Sequence, residues 1–179
     1  MSKVLPFSQR FQVKHPRAGE ATHFVEQILN AMEIDFRKVE YCYRLMDLNK
    51  KAIEEGKLDE QTICHFFSKL NKEITAIKNH TIRAGHRWKP EEKFSARVWS
   101  AKPYSSPQII FAPERTVQKT YPFIIKDANY YVNNSGPLTV PQLEVIAKND
   151  GLNVDDLECW FNVPAFDGQV ICWNDLIEY

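Results

Sequence analysis

The chain has 179 residues, 44% of them hydrophobic and 12% aromatic, which is enough apolar material for a domain core and too much for a disordered segment. Its 23 Lys and Arg offset 23 Asp and Glu, so no net charge steers it toward nucleic acid over long range. No run reaches the ~18 apolar residues of a membrane span, and the opening "MSKVLPFSQRF" lacks the apolar stretch of a secretory signal.

In chain order, the first half reads as helical. "GEATHFVEQILNAM" sets Phe24, Val25, Ile28, Leu29 and Met32 at spacings of three and four, with Thr22 as the expected N-cap. In "EIDFRKVEYCYRLMDLNKKAIEEGK", Phe36, Val39, Tyr43, Leu45, Met46 and Leu48 continue an apolar stripe until Gly56 ends it near lysines. "LDEQTICHFFSKLNKEITAI" opens a further helix at Asp59, with Ile63, Phe66, Phe67, Leu70 and Ile74 on one face. Residues 31–75 are therefore expected to form two antiparallel helices joined by a short turn.

Beyond Ile77 the periodicity changes from helical to alternating. "HTIRA", "KFSARVWS", "PQIIFA", "TVQKTYPFIIK" and "NYYVNN" are short β-prone runs separated by Pro, Gly, Asn and charged turns. In "KFSARVWS" the apolar Phe94, Ala96 and Val98 alternate with Ser95, Arg97 and Trp99. "PLTVPQLEVIAKNDG" reads as a helix with Thr139 and Gln142 as a capping box and Gly151 at its end. "NVDDLECWFNV" repeats the pattern with Asn153 as cap, and "GQVICWN" is a last strand. Short strands without an alternating βα period indicate an α+β fold around a small, mostly antiparallel sheet or barrel.

Charge is spread unevenly. Eight Lys or Arg stand against three Glu from Lys72 to Lys102, and eight Asp or Glu against one Lys from Thr139 onward. The densest part is "IKNHTIRAGHRW", which sets Lys78, His80, Arg83, His86 and Arg87 around a single Thr81. In a strand Thr81 and Arg83 share one face and His80 and Ile82 the other. Arg83 offers a planar fork of donors to a carboxylate, a phosphate or a base edge, and an ion pair with a C-terminal acid uses the same fork. Thr81 is a nucleophile only with a base in reach, and Lys78 is a base only if burial or neighbouring cations lower its pKa. A solvated Lys78 binding phosphate fits the sequence equally. Trp99, with Arg97, Lys102 and Tyr104 close by, is suited to stacking a base beside backbone phosphates, as it is to packing in a small core. The four cysteines, Cys42, Cys64, Cys159 and Cys172, form no C-x-x-C pair, and the histidines lack ligand spacing, so no metal is expected.

"AIKNHTIR" resembles the G-x-K-x-x-x-x-R signature of ASCH domains, a group within the PUA-like superfamily, with Ala76 at the usual glycine. "VLPFSQRF" with "THFVEQIL" is similar to that family's first strand and helix, "KNDGLNVDDLECWF" to its acidic turn and helix, and "GQVICWN" to its final strand. The resemblance covers most of residues 1–30 and 76–179, and 31–75 stands as an inserted helical hairpin. It implies a single ASCH domain over 1–179, a small, mostly antiparallel PUA-like β-barrel with flanking helices. One ASCH group consists of amidohydrolases that deacylate N4-acetylcytidine with a lysine base, a threonine nucleophile and a glutamate acid. Carried over, those roles fall on Lys78, Thr81 and Asp150, the last one methylene shorter than the family's Glu. Other members bind RNA.

Three functions stay open on this reading. The first is binding of RNA or a modified nucleoside through Arg83, His80, Arg87, Trp99 and Lys102 around Lys78 and Thr81. The second is hydrolysis of an acylated nucleobase, and the third is docking of a protein partner on the helical insertion. No cofactor and no membrane are called for, and the expected location is cytoplasmic.

Overall fold

The computed structural model describes residues 2–179. In chain order the elements are β1 (Lys3–Pro6), α1 (Phe24–Ala31), α2 (Glu40–Leu48), α3 (Lys50–Glu54), α4 (Glu60–Ser68), β2 (His80–Ala84), β3 (Lys93–Trp99), β4 (Gln108–Ile110), β5 (Arg115–Thr116), β6 (Lys119–Lys126), β7 (Asn129–Val132), α5 (Val140–Asn149), α6 (Val154–Trp160) and β8 (Ala165–Cys172). They fall into two compact units. One comprises the residues to 11, 20–76 and 93–115, and the other 12–19, 77–92 and 116–179.

In the first unit β3 is central, parallel to β1 and antiparallel to β4, with the two-residue β5 also paired to it. The alternation read in "KFSARVWS" holds from Ala96 on, where Ala96 and Val98 are fully buried and Arg97 and Trp99 half-buried, but Ser95 is buried together with Phe94. Helices fill most of residues 31–75, and no strand lies there. The first of the two expected helices is broken, however. Asn49 ends α2 because its buried amide bonds sideways, donating to Leu45 O and Ile110 O at 2.8 Å and accepting from Ile110 N–H at 2.9 Å. The buried face of α2 is Tyr41, Cys42 and Leu45, while Val39 and Tyr43, expected on the stripe, are exposed. Asp59 caps α4 through Thr62 N–H as expected. Thr22 does not cap α1; its hydroxyl donates to Ser8 O and His23 takes the cap position with φ 58°.

The second unit is built on β8, which runs antiparallel between β2 and β6, with β7 outside β6. α5 opens on the Thr139–Gln142 capping box and α6 on the Asn153 cap, both as the sequence indicates. The expected closed barrel is not formed. The strands make two separate four-stranded sheets, and β2 and β7, the margins of the second sheet, do not pair with one another, which closure requires. The architecture is therefore α+β with two mostly antiparallel sheets and six helices among the described residues. No helix among them is long and apolar enough to cross a membrane.

Gly168 lies where β8 meets β2 and β6, opposite Ala84 and Phe123. A Cβ there would run into the Arg83 carbonyl oxygen and come within 2.7 Å of the Phe166 ring. Gly168→Ala is expected to destabilise the protein by more than about 3 kcal/mol in urea unfolding. Gly136, with nothing within 4 Å of its would-be Cβ, is expected to accept alanine within about 0.5 kcal/mol.

Candidate functional site

β2 is an edge strand, and the end of α5 closes that edge. Asn79 N–H donates to Asn149 O at 2.8 Å, and Ile82 N–H donates to the Asp150 carboxylate. Asp150 is the C-cap of α5, so the helix terminus carries a carboxylate to the strand. Just before β2, Lys78 turns inward and spends two donors on this one residue. Nζ donates to Asp150 Oδ1 at 2.6 Å and also to the Asp150 carbonyl oxygen. Lys78 is 1% exposed and Asp150 5%. The helix end thus brings the short Asp150 side chain into direct contact with Lys78.

Burial pulls Lys78 down to about 8, against the opposing pull of Asp150, and the Arg83 charge lowers it further. Burial likewise raises the Asp150 carboxyl above its ordinary value, against the Lys78 ammonium, Arg83 and Ile82 N–H, which favour the anion. Both shifts favour the neutral forms, so a proton passes between the partners at smaller cost than in water. The pair is able to act as a base or an acid near neutral pH.

Thr81 lies three residues after Lys78 on β2, is 5% exposed, and its hydroxyl makes no hydrogen bond to another described residue. Arg83 is half-buried on the same strand, close enough for its charge to act on both Lys78 and Asp150. His80 is wholly buried and faces Tyr179 and Asp150 rather than solvent. Arg87 is exposed, as is His86, whose Nε2 lies 2.8 Å from Asp167 Oδ1. Trp99 and Lys102 belong to the other compact unit, where the Trp99 ring packs 5.4 Å from that of Tyr104 and Lys102 is exposed. The residues brought together are thus Lys78, Asp150 and His80, with the Arg83 charge acting on the first two, while Thr81 is placed by its position on β2.

Sequence reasoning overlooked the polar cluster that links buried Asn79 and His80 to half-buried Asn149, Asn174 and Tyr179. Nothing in their spacing marks them, since the contacts join residues between 30 and 99 positions apart. No group of three or more His, Cys, Asp or Glu among the described residues is arranged to hold a metal. No family model matches the chain, and neither a curated protein nor a solved structure matches it.

Removing one partner from a buried pair strands the other's charge or polarity. Lys78→Met and Asp150→Asn are each expected to lower unfolding stability by about 3 kcal/mol. The double variant should cost less than the sum by more than about 1 kcal/mol, measured as a double-mutant cycle in urea.

Proposed function

We propose that this chain is an ASCH-type protein of the PUA-like group that recognises a modified nucleoside and hydrolyses an amide on its base, as in N4-acetylcytidine. Lys78 carries this reading: it is 1% exposed, paired with Asp150 at 2.6 Å, and three residues from a threonine with an uncommitted hydroxyl. A lysine that binds backbone phosphate has to reach solvent. A lysine that serves as a base needs a lowered pKa, which burial supplies here.

In the proposed reaction neutral Lys78 takes the Thr81 hydroxyl proton as Oγ1 attacks the acyl carbonyl carbon. The tetrahedral adduct collapses with cleavage of the C–N bond, and the leaving amine takes its proton from the Lys78–Asp150 pair. Water then hydrolyses the acyl-threonine ester and restores the hydroxyl. Arg83 supplies positive charge beside the pair, where an oxyanion develops. A second reading, RNA binding, is favoured by exposed Arg87 and Lys89 on the segment after β2. It engages phosphates without needing Lys78.

The test is acetate release from N4-acetylcytidine. The rate is expected to rise with pH through about 8, as Lys78 loses its proton. Thr81→Ala is expected to lower the rate by about a thousandfold or more while leaving the fold intact. A protein that releases no acetate yet retains RNA, with affinity falling steeply in salt, would replace hydrolysis with the binding reading.

A further inference from the structure

We propose that His80 is a positioning residue for the Lys78–Asp150 pair, held as the neutral tautomer with its proton on Nε2 by a one-way chain of hydrogen bonds through Tyr179. Its place in a hydrolytic site rests on the function proposed above; the tautomer and its effect on the pair do not.

The chain begins at a group that can only donate. Leu176 N–H donates to Asn174 Oδ1 at 3.0 Å, which fixes the amide of Asn174 and turns its Nδ2 toward Asn79 Oδ1, 3.2 Å away. Asn79 therefore presents its own Nδ2 to Asn149 Oδ1 at 3.2 Å, and Asn149 presents Nδ2 to the Tyr179 hydroxyl at 3.0 Å. With its oxygen accepting from Asn149, the phenol has one proton left. The acceptor within reach is His80 Nδ1 at 2.8 Å. Nδ1 then carries the lone pair, and the neutral ring must carry its proton on Nε2.

Nε2 is buried without a hydrogen-bond partner and lies 3.9 Å from Asp150 Oδ1. The N–H dipole therefore faces the carboxylate and favours its anion, which in turn holds the proton on Lys78. Were the tautomer reversed, a lone pair would face the carboxylate and the proton would pass more readily from lysine to acid. The titratable groups around the ring are Lys78 and Arg83 from the β2 segment, Asp150 from the end of α5, Cys172 opposite it on β8, and Tyr179 with Tyr121 against its ring. Cys172, pushed up to about 12 by burial, stays a neutral thiol. Burial and the Lys78 charge keep the imidazole itself neutral.

The test is nitrogen-15 NMR of the histidine rings in the whole protein, with the His80 signal identified by its loss in His80→Asn. The wild type should show a neutral ring protonated on Nε2. Asn149→Asp replaces the donor with an acceptor, so the Tyr179 proton turns toward residue 149 and His80 must donate from Nδ1; the tautomer should reverse. Tyr179→Phe should leave a mixture of tautomers and lower the titration midpoint of Lys78, followed through its side-chain carbon and nitrogen shifts. A wild-type proton on Nδ1, an unreversed tautomer in Asn149→Asp, or a single Nε2 tautomer retained in Tyr179→Phe overturns the chain. A mixed tautomer in Tyr179→Phe with an unmoved Lys78 midpoint overturns the positioning role. If Asn149→Asp does not fold, Tyr179→Phe decides alone. Failure of N4-acetylcytidine as a substrate changes none of these readouts, so the two proposals fail separately.

Discussion

Burying an ammonium group is costly, several kcal/mol even after the protein relaxes around it, and the second compact unit is organised to meet that cost at Lys78. One residue does most of it. Asp150 offers Lys78 both its side chain and its backbone carbonyl, and its carboxylate also takes Ile82 N–H. Because Asp150 terminates α5, the charge pair doubles as the joint between that helix and the margin of the sheet. The half-buried polar cluster from Asn174 to His80 is hydrogen-bonded in series beside it.

The first unit meets a related problem with a neutral group. β4 is an edge strand there, and Asn49, the C-cap of α2, exchanges hydrogen bonds with both the N–H and the C=O of Ile110. In both units a residue at the C-terminal end of a helix lends its side chain to a strand that lacks a neighbour. Exposed strand margins invite unwanted pairing, and these side chains close them without adding a strand. The difference is one of chemistry. An amide satisfies the edge and goes no further, whereas a carboxylate satisfies it and also draws in a titratable lysine.

How much of this was legible depended on whether the signal was local. The Thr139–Gln142 box and the Asn153 and Asp59 caps are set by neighbours a few residues apart, and they appear where the sequence indicates. The break at Asn49 follows from a strand some 60 residues downstream, which the helical pattern does not register. Closure of a barrel depends on pairing between strand margins, and the short β-prone runs say nothing of which margins meet. The run of cations and the acidic turn single out Lys78, Thr81, Arg83 and Asp150, but nothing in the sequence shows that Lys78, Thr81 and Asp150 are buried. Tyr179 and the three asparagines carried no signal at all, since a buried amide and a surface amide look alike in sequence.

The position of Asp150 at the end of α5 also bears on how this chain tolerates change in length. Each helical residue advances the chain by about 1.5 Å and turns it by about 100°. An insertion or deletion within Val140–Asn149 would therefore swing the acid off Lys78 even with every side chain of the site retained. The exposed stretch from Ala101 to Ser105 has no such coupling, and residues added there leave the register of the helix untouched. Along this chain, tolerance of altered length is thus set by distance from one helix end, and the most restrictive ten residues, Asn149 apart, act on the Lys78 site only through the residue that follows them.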